Sequence, residues 1–192
     1  MMIAASVLFL TVAARAQVAV YATSSSAHLS NVAAGELALP TPPNGPGGYQ
    51  EQYATFWASG IGGGVTLNFL SLGPVKMGFD FRGSTRPGTP GADTGMAGLK
   101  VGFNLPVIHI KPYIQASGGY VGSRAVNPAD LGTFSNKYLA WEILGGIDYP
   151  LVKVLDLRVI EFGGGTGMSL PGSAGGPNIP LFTINTGVVL HF

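Results

Sequence analysis

The chain has 192 residues, of which 46% are hydrophobic, 10% aromatic and only 10% charged, with 30 glycines, 14 prolines, no cysteine and a formal net charge of +1. Its mean hydropathy of +0.36 is too apolar for a disordered chain, and its glycine content excludes a coiled coil. The near-neutral charge argues against a nucleic-acid partner, and the lack of cysteine removes disulfides, thiol nucleophiles and thiolate metal sites together.

The first element is an apolar run from Ile3 to Ala14 that leads into Ala14-Arg15-Ala16. A short apolar stretch ending in A-x-A has the pattern of a secretory signal peptide and is too short to cross a bilayer as a helix. The basic residues that usually precede such a run are missing before Ile3. Residues 1–16 are expected to be the signal peptide, and residues 17–192 the mature domain.

Beyond Ala16 no segment repeats apolar residues at helical spacing. Period-two alternation recurs instead, as strands with two different faces require. Eight blocks are expected as strands, at 17–23, 55–70, 73–84, 93–105, 110–124, 136–150, 152–163 and 181–192. In the third, Val75, Met77, Phe79 and Phe81 share one face, and Lys76, Gly78, Asp80 and Arg82 share the other. The last repeats the scheme, with Phe182, Ile184, Val188, Leu190 and Phe192 opposite Thr183, Asn185, Gly187 and His191. Tight turns follow blocks two, four and six, at Ser71–Pro74, Leu105–His109 and Pro150–Leu151. Long Gly, Pro, Ser and Asn stretches follow the others, at 24–54, 85–92, 125–135 and 164–180. Strict alternation of short and long connections predicts an up-and-down antiparallel barrel with all tight turns at one rim.

Two details decide which face meets water. On the apolar phase, Phe69, Phe103, Tyr149 and Phe192 fall near the tight turns, while Trp57, Phe81, Tyr120, Trp141 and Phe182 fall near the long loops. Two aromatic rings separated by aliphatics are the girdles of a barrel in a bilayer. With a rise of about 3.3 Å per residue and a tilt near 40°, Phe182 to Phe192 spans about 25 Å, the height of an outer-membrane apolar band. The polar phase carries Lys76, Asp80, Arg82, Lys100, Lys111, Glu142, Asp148, Asp156 and Arg158, with signs almost balanced. Inside a narrow barrel such charges must pair or meet water. Gly60, Gly62, Gly64, Gly98, Gly102, Gly119 and Gly146 lie on the same phase and leave room for their stems. Glu161 alone falls on the lipid phase, unless a bulge before Gly163 re-aims it.

With its signal peptide, eight alternating blocks, three short turns against four long loops and terminal Val188-Val189-Leu190-His191-Phe192, the chain resembles the small outer-membrane barrels of Gram-negative bacteria, the OmpA transmembrane-domain and OmpX type. The resemblance implies periplasmic turns and extracellular loops. It also implies that Val188, Leu190 and the final aromatic Phe192 form the signal read by the barrel-assembly machinery.

The function expected is that of an all-β, eight-stranded antiparallel transmembrane barrel in the cell outer membrane. Its surroundings are outer-membrane lipid, and its long loops make a structural or surface contact with an extracellular partner. Neither cofactor nor metal is expected, because the three histidines and scattered carboxylates lack ligand spacing. A narrow pore for small solutes is the first alternative, with Thr66, Asn68, Gln115 and Ser117 available to line it. An eight-stranded lumen, however, is normally filled by side chains. A soluble periplasmic ligand-binding barrel is the second alternative and needs the apolar phase inside. An enzyme is not expected. His28-Leu29-Ser30 has the His-x-Ser spacing of lipid deacylases but is placed in a loop, and the resemblance extends to no complete Ser–His–acid set.

Overall fold

The computed structural model describes residues 17–39, 48–105, 107–170 and 177–192. The expected signal peptide lies outside the described residues. Eight strands follow in order: β1 (Gln17–Ala38), β2 (Tyr49–Leu72), β3 (Val75–Arg86), β4 (Gly91–Phe103), β5 (Lys111–Val126), β6 (Thr133–Val152), β7 (Leu155–Ser169) and β8 (Ile179–His191). Each pairs antiparallel with its sequence neighbours, and β1 pairs with β8 from Ala19↔His191 to Leu29↔Leu181, which closes the barrel. Closure matters in lipid, where every backbone N–H and C=O must find a partner inside the protein.

The alternating pattern sorts the side chains as period two demands. Ile61, Phe79, Leu99, Ile114, Leu139 and Ile143 are exposed on the outside, with aliphatic and aromatic neighbours on every strand. A continuous apolar exterior of this extent is incompatible with water and fits hydrocarbon. The aromatic positions Trp57, Phe69, Phe81, Phe103, Tyr120, Trp141, Tyr149, Phe182 and Phe192 are all exposed on this outer surface. The soluble-barrel alternative required the apolar phase to line the interior. The structure turns that phase outward.

The strands are longer than the period-two blocks on the side of the long loops, and the largest correction is in the first loop. Residues 24–38 continue β1 and residues 49–54 begin β2, so only the stretch between them is a connection. Serine-rich composition was the reason to expect a loop at 24–30. In the barrel Ser25 points inward and is buried, while Ser26 Oγ on the outside lies 2.8 Å from Ser59 Oγ across the pair. A hydroxyl with a cross-strand partner costs a strand little. The glycines of β7 misled in the same way. A Cβ at Gly165 would lie 2.0 Å from the Trp141 carbonyl oxygen, so glycine there permits close strand approach and does not mark a loop.

Beyond Leu29 the first strand loses β8, and β2 meets β3 only from Ile61↔Thr85 onward. Between those limits β1 and β2 pair only with each other, out to Ala38↔Tyr49. Register shifts at Leu29/Val32 and Ala33/Gly35 interrupt this ribbon, where Asn31 and Gly35 have φ of 58° and 117°. Bulges bend a strand. Here they tip the ribbon over the mouth of the barrel: Val32, Ala33 and Ala34 are buried, and Ala33 N donates to Tyr138 Oη at 3.1 Å.

Candidate functional site: the filled lumen and its two ends

The inward residues change character with height. Along β1 they run Ala19, Tyr21, Thr23, Ser25, Ala27 and Leu29, and along β5 Lys111, Tyr113, Gln115, Ser117 and then Val121 and Ala125. Three layers result: a charged vestibule at the tight-turn rim, an ionic layer in the middle, and an apolar cap under the ribbon.

The middle layer is a connected network. Asp80 accepts hydrogen bonds from Tyr21 Oη (2.9 Å), Thr66 Oγ1 (2.7 Å), Gln115 Nε2 (2.8 Å) and Arg82 Nε (2.9 Å). Glu161 accepts from Arg82 Nη1 (2.8 Å), Tyr113 Oη (2.6 Å), Asn185 Nδ2 (2.8 Å) and Arg158 Nη1 (3.4 Å). Arg158 Nε reaches Asp148 Oδ1 at 3.0 Å, and its guanidinium lies over the Tyr21 and Tyr113 rings at 4.4 and 5.0 Å. Lys100 Nζ sits 3.7 Å from the Tyr113 ring centroid and 3.6 Å from Asp148. Asp80 and Arg158 are 0% exposed, so these charges persist only because each is paired and hydrogen-bonded.

Of the lumen residues named from sequence, the structure brings Asp80, Arg82, Lys100, Asp148 and Arg158 into this one network. Lys76 and Asp156 stand apart at the tight-turn rim, where Lys111 Nζ and His191 Nε2 approach Asp156 at 2.6 and 2.7 Å. Glu142 lies higher and accepts from Thr183 Oγ1. Its neighbour Arg86 is buried and donates one bond to Ser25 Oγ (2.7 Å), while its Nε and Nη1 have no hydrogen-bond partner.

Sequence reasoning missed Tyr21 and Tyr113 as members, although an aromatic on the polar phase beside Lys111 and Gln115 was a usable sign. It set Glu161 on the lipid phase unless a bulge before Gly163 re-aimed it. A register shift between Arg158 and Glu161 in the β7–β8 pairing turns Glu161 inward, making it a junction of the network.

The apolar cap joins Leu29, Val32, Met96, Val121, Tyr138 and Ile179 with smaller neighbours from five strands and the packed ring of Phe56. No alternation pattern signals it, because it sits on the phase that is charged lower down. At the opposite end the vestibule is a cavity of about 310 Å³. The space beneath Arg86 and Glu142 is only about 30 Å³, room for about one water.

His28 is in β1 and not in a loop. It faces outward opposite Trp57 and Phe182, its ring 5.0 Å from Trp57, and Trp57 meets Phe182 edge-on at 6.2 Å. Among the described residues no hydrogen bond joins His28 to a serine or a carboxylate, and no group of three metal-ligating side chains occurs.

No protein-family model and no curated protein matches the sequence. Solved structures do match in fold. Neisserial surface protein A aligns over 91% of this chain and 99% of its own, at 13% identity and a TM-score of 0.50. Ail, the attachment invasion locus protein of Yersinia pestis, aligns over 93% and 99%, at 10% identity and a TM-score of 0.50. The N-terminal β-barrel domain of Pseudomonas aeruginosa OprF aligns over 93% and 98%, at 10% identity and a TM-score of 0.49. Such likeness concerns the fold, which hosts several functions. Closed eight-strand topology, an apolar exterior with aromatic girdles and a charged interior make this chain an integral outer-membrane β-barrel of the small eight-stranded type.

Proposed function

We propose that the barrel is a non-enzymatic anchor whose β1–β2 ribbon makes a surface contact outside the cell. The observation that carries this reading is the ribbon itself. Nine residues of β1 continue past the last pairing with β8, about 30 Å of strand at 3.3 Å per residue. Near its tip Tyr49 is 74% exposed, and Leu37, Leu39 and Tyr53 are also exposed, beyond the point where β1 leaves β8. Exposed aromatics on a braced element suit protein contact, because they bury area at small entropic cost.

A non-enzymatic role is supported by the dispersal of the histidines. His28 packs against Trp57 with the two rings tilted, His109 lies in the β4–β5 connection, and His191 binds Asp156. The pore reading is weakened by two closures in series, the ionic layer and the cap. Outer-membrane lipid as surroundings, an extracellular partner for the ribbon, and recognition of Val188, Leu190 and Phe192 by the barrel-assembly machinery complete the proposal. All three of those residues are exposed on the outside of β8 and its end.

The test replaces Leu37, Tyr49 and Tyr53 together by serine in cells that display the protein. The barrel should still shift on gels after heating in SDS, while adherence to matrix-coated surfaces and cell–cell aggregation fall to the level of cells lacking the protein. Unchanged adherence in a correctly folded variant would remove the ribbon from the role.

A further inference from the structure

We infer that the vestibule at the tight-turn rim is a binding site for a small, doubly charged organic anion, entering from the periplasm. The cavity of about 310 Å³ lies at the small end of ordinary ligand pockets. Four lysines, Lys76, Lys100, Lys111 and Lys153, are among its lining residues, against the side-chain carboxylates of Asp148 and Asp156. Both carboxylates are already engaged. Asp156 is held by Lys111 and His191, and Asp148 by Arg158 and Lys100. Lys76 is left with an amide oxygen, Gln17 Oε1 at 2.8 Å, and neither it nor Lys153 has an ion-pair partner among the described residues.

Excess positive charge in a cleft with low-dielectric walls concentrates anions, because the field is focused and water screens it poorly. Here the walls are the barrel itself. The inner end is closed by Arg158, Lys100 and Tyr113, so an anion that enters has no path onward. A blind, cationic pocket is a binding site and not a conduit. Tyr113 and Val189 add apolar surface, which favours an anion carrying a small organic body over a bare inorganic ion. Tight turns face the periplasm in outer-membrane barrels, which sets the side of entry. The ribbon lies at the other rim, so this site is independent of the surface-contact role.

The probe is phenyl phosphate, titrated by calorimetry into the full barrel held in zwitterionic lipid nanodiscs, with phenol as the uncharged control. Saturable binding is expected below about 10 mM, the weak end for a site this small, with none for phenol. Lys76→Gln and Lys153→Gln should each weaken it at least about fivefold, the effect of one unit charge across a few ångströms in a partly shielded site. Gln17→Glu gives Lys76 a carboxylate without removing any lysine, and it should weaken binding similarly even if a lysine variant fails to fold. No saturable binding, equal binding of phenol, or equal affinity in Gln17→Glu and the parent protein would each overturn the inference.

Discussion

Arg158 and Glu161 stand three residues apart on β7, yet both point into the lumen, with Nη1 to Oε2 at 3.4 Å. On a regular strand an odd separation puts two side chains on opposite faces. The β-bulge between them absorbs the extra residue. Glu161 is thereby placed between two guanidiniums, since Arg82 Nη1 reaches its other oxygen at 2.8 Å.

The first prediction follows from that placement. Glu161→Gln removes the charge facing two buried cations, and leaving such charges uncompensated costs about 3–5 kcal/mol. The denaturant midpoint of the refolded barrel should fall accordingly. Asp93→Asn breaks the partly exposed pair with Arg124 and should cost less than about 1 kcal/mol. Equal losses in the two variants would contradict the burial argument.

Two arginine-linked carboxylates, Asp80 and Glu161, show where the sequence was legible. Asp80 and Arg82 alternate with Phe79 and Phe81, so period two assigns them to the lumen without ambiguity. Glu161 sits past a bulge, which the break in alternation at Glu161 allowed for but whose place the run Arg158-Val159-Ile160-Glu161 does not mark. Closure had a similar blind spot. Ser24 to Leu29 reads as loop by composition, but pairing with both Phe56–Ile61 and Leu181–Thr186 makes it the seam of the barrel. Seams are long-range facts, set by which strand lies beside the first. The apolar cap was hidden for the same reason, since Leu29, Val121 and Ile179 come together only after closure.

Arg86 supplies the second prediction. Its Nε and Nη1 are buried without hydrogen-bond partners, so its charge is poorly compensated where it stands. The desolvation of a buried charge is repaid only by good geometry and full hydrogen bonding, so a guanidinium with two orphaned nitrogens adds little stability. Arg86→Met should therefore leave the denaturant midpoint unchanged or raise it, whereas Arg158→Met should lower it by about 3–5 kcal/mol worth of stability. A strongly destabilised Arg86→Met would show that the guanidinium has partners the side chains around it do not reveal.

The outward face gives a third. Ile143 lies mid-strand on β6, between Ala116 and Gly164 in register, and is exposed to lipid. An arginine there is expected to cost about 2–4 kcal/mol in a bilayer-folded barrel. Leu37→Arg, on the ribbon outside the lipid, should change stability by no more than about 0.5 kcal/mol. Urea titrations from liposomes compare the two directly. A soluble-type exterior would give small effects at both positions.

The ribbon's brace is testable by hydrogen exchange. Tyr138 Oη is the acceptor for Ala33 N, and Tyr138 is buried as a member of the cap. Tyr138→Phe removes that acceptor and should cost about 1 kcal/mol of local stability. Exchange of the amides from Val32 to Glu36 should then speed up about fivefold, with the amides of β3 and β4 unaffected. Uniform acceleration across the barrel would mean that Tyr138 holds the whole structure and not the ribbon.

Conductance is the last and sharpest discriminator, because two closures lie in series along the lumen. The ionic layer around Asp80, Arg82 and Glu161 fills the middle of the lumen with paired side chains, and the cap, with Val32 and Ala34 among its members, lies at the other end. The parent protein, folded in a planar bilayer, should show no discrete current steps. Replacing the ribbon from Val32 to Gln52 with a short turn should remain silent, since the ionic layer still blocks the lumen. Arg82→Ser combined with Glu161→Ser should also remain silent under an intact cap. Only the ribbon deletion and the double serine change together, with the remaining cap residues Met96, Val121, Tyr138 and Ile179 also reduced to serine, should conduct. The current should then favour anions, because the vestibule they open onto is lined by Lys76, Lys100, Lys111 and Lys153. Steps in the parent protein, or in the ribbon deletion alone, would make the ionic layer a gate and return the barrel to the class of pores.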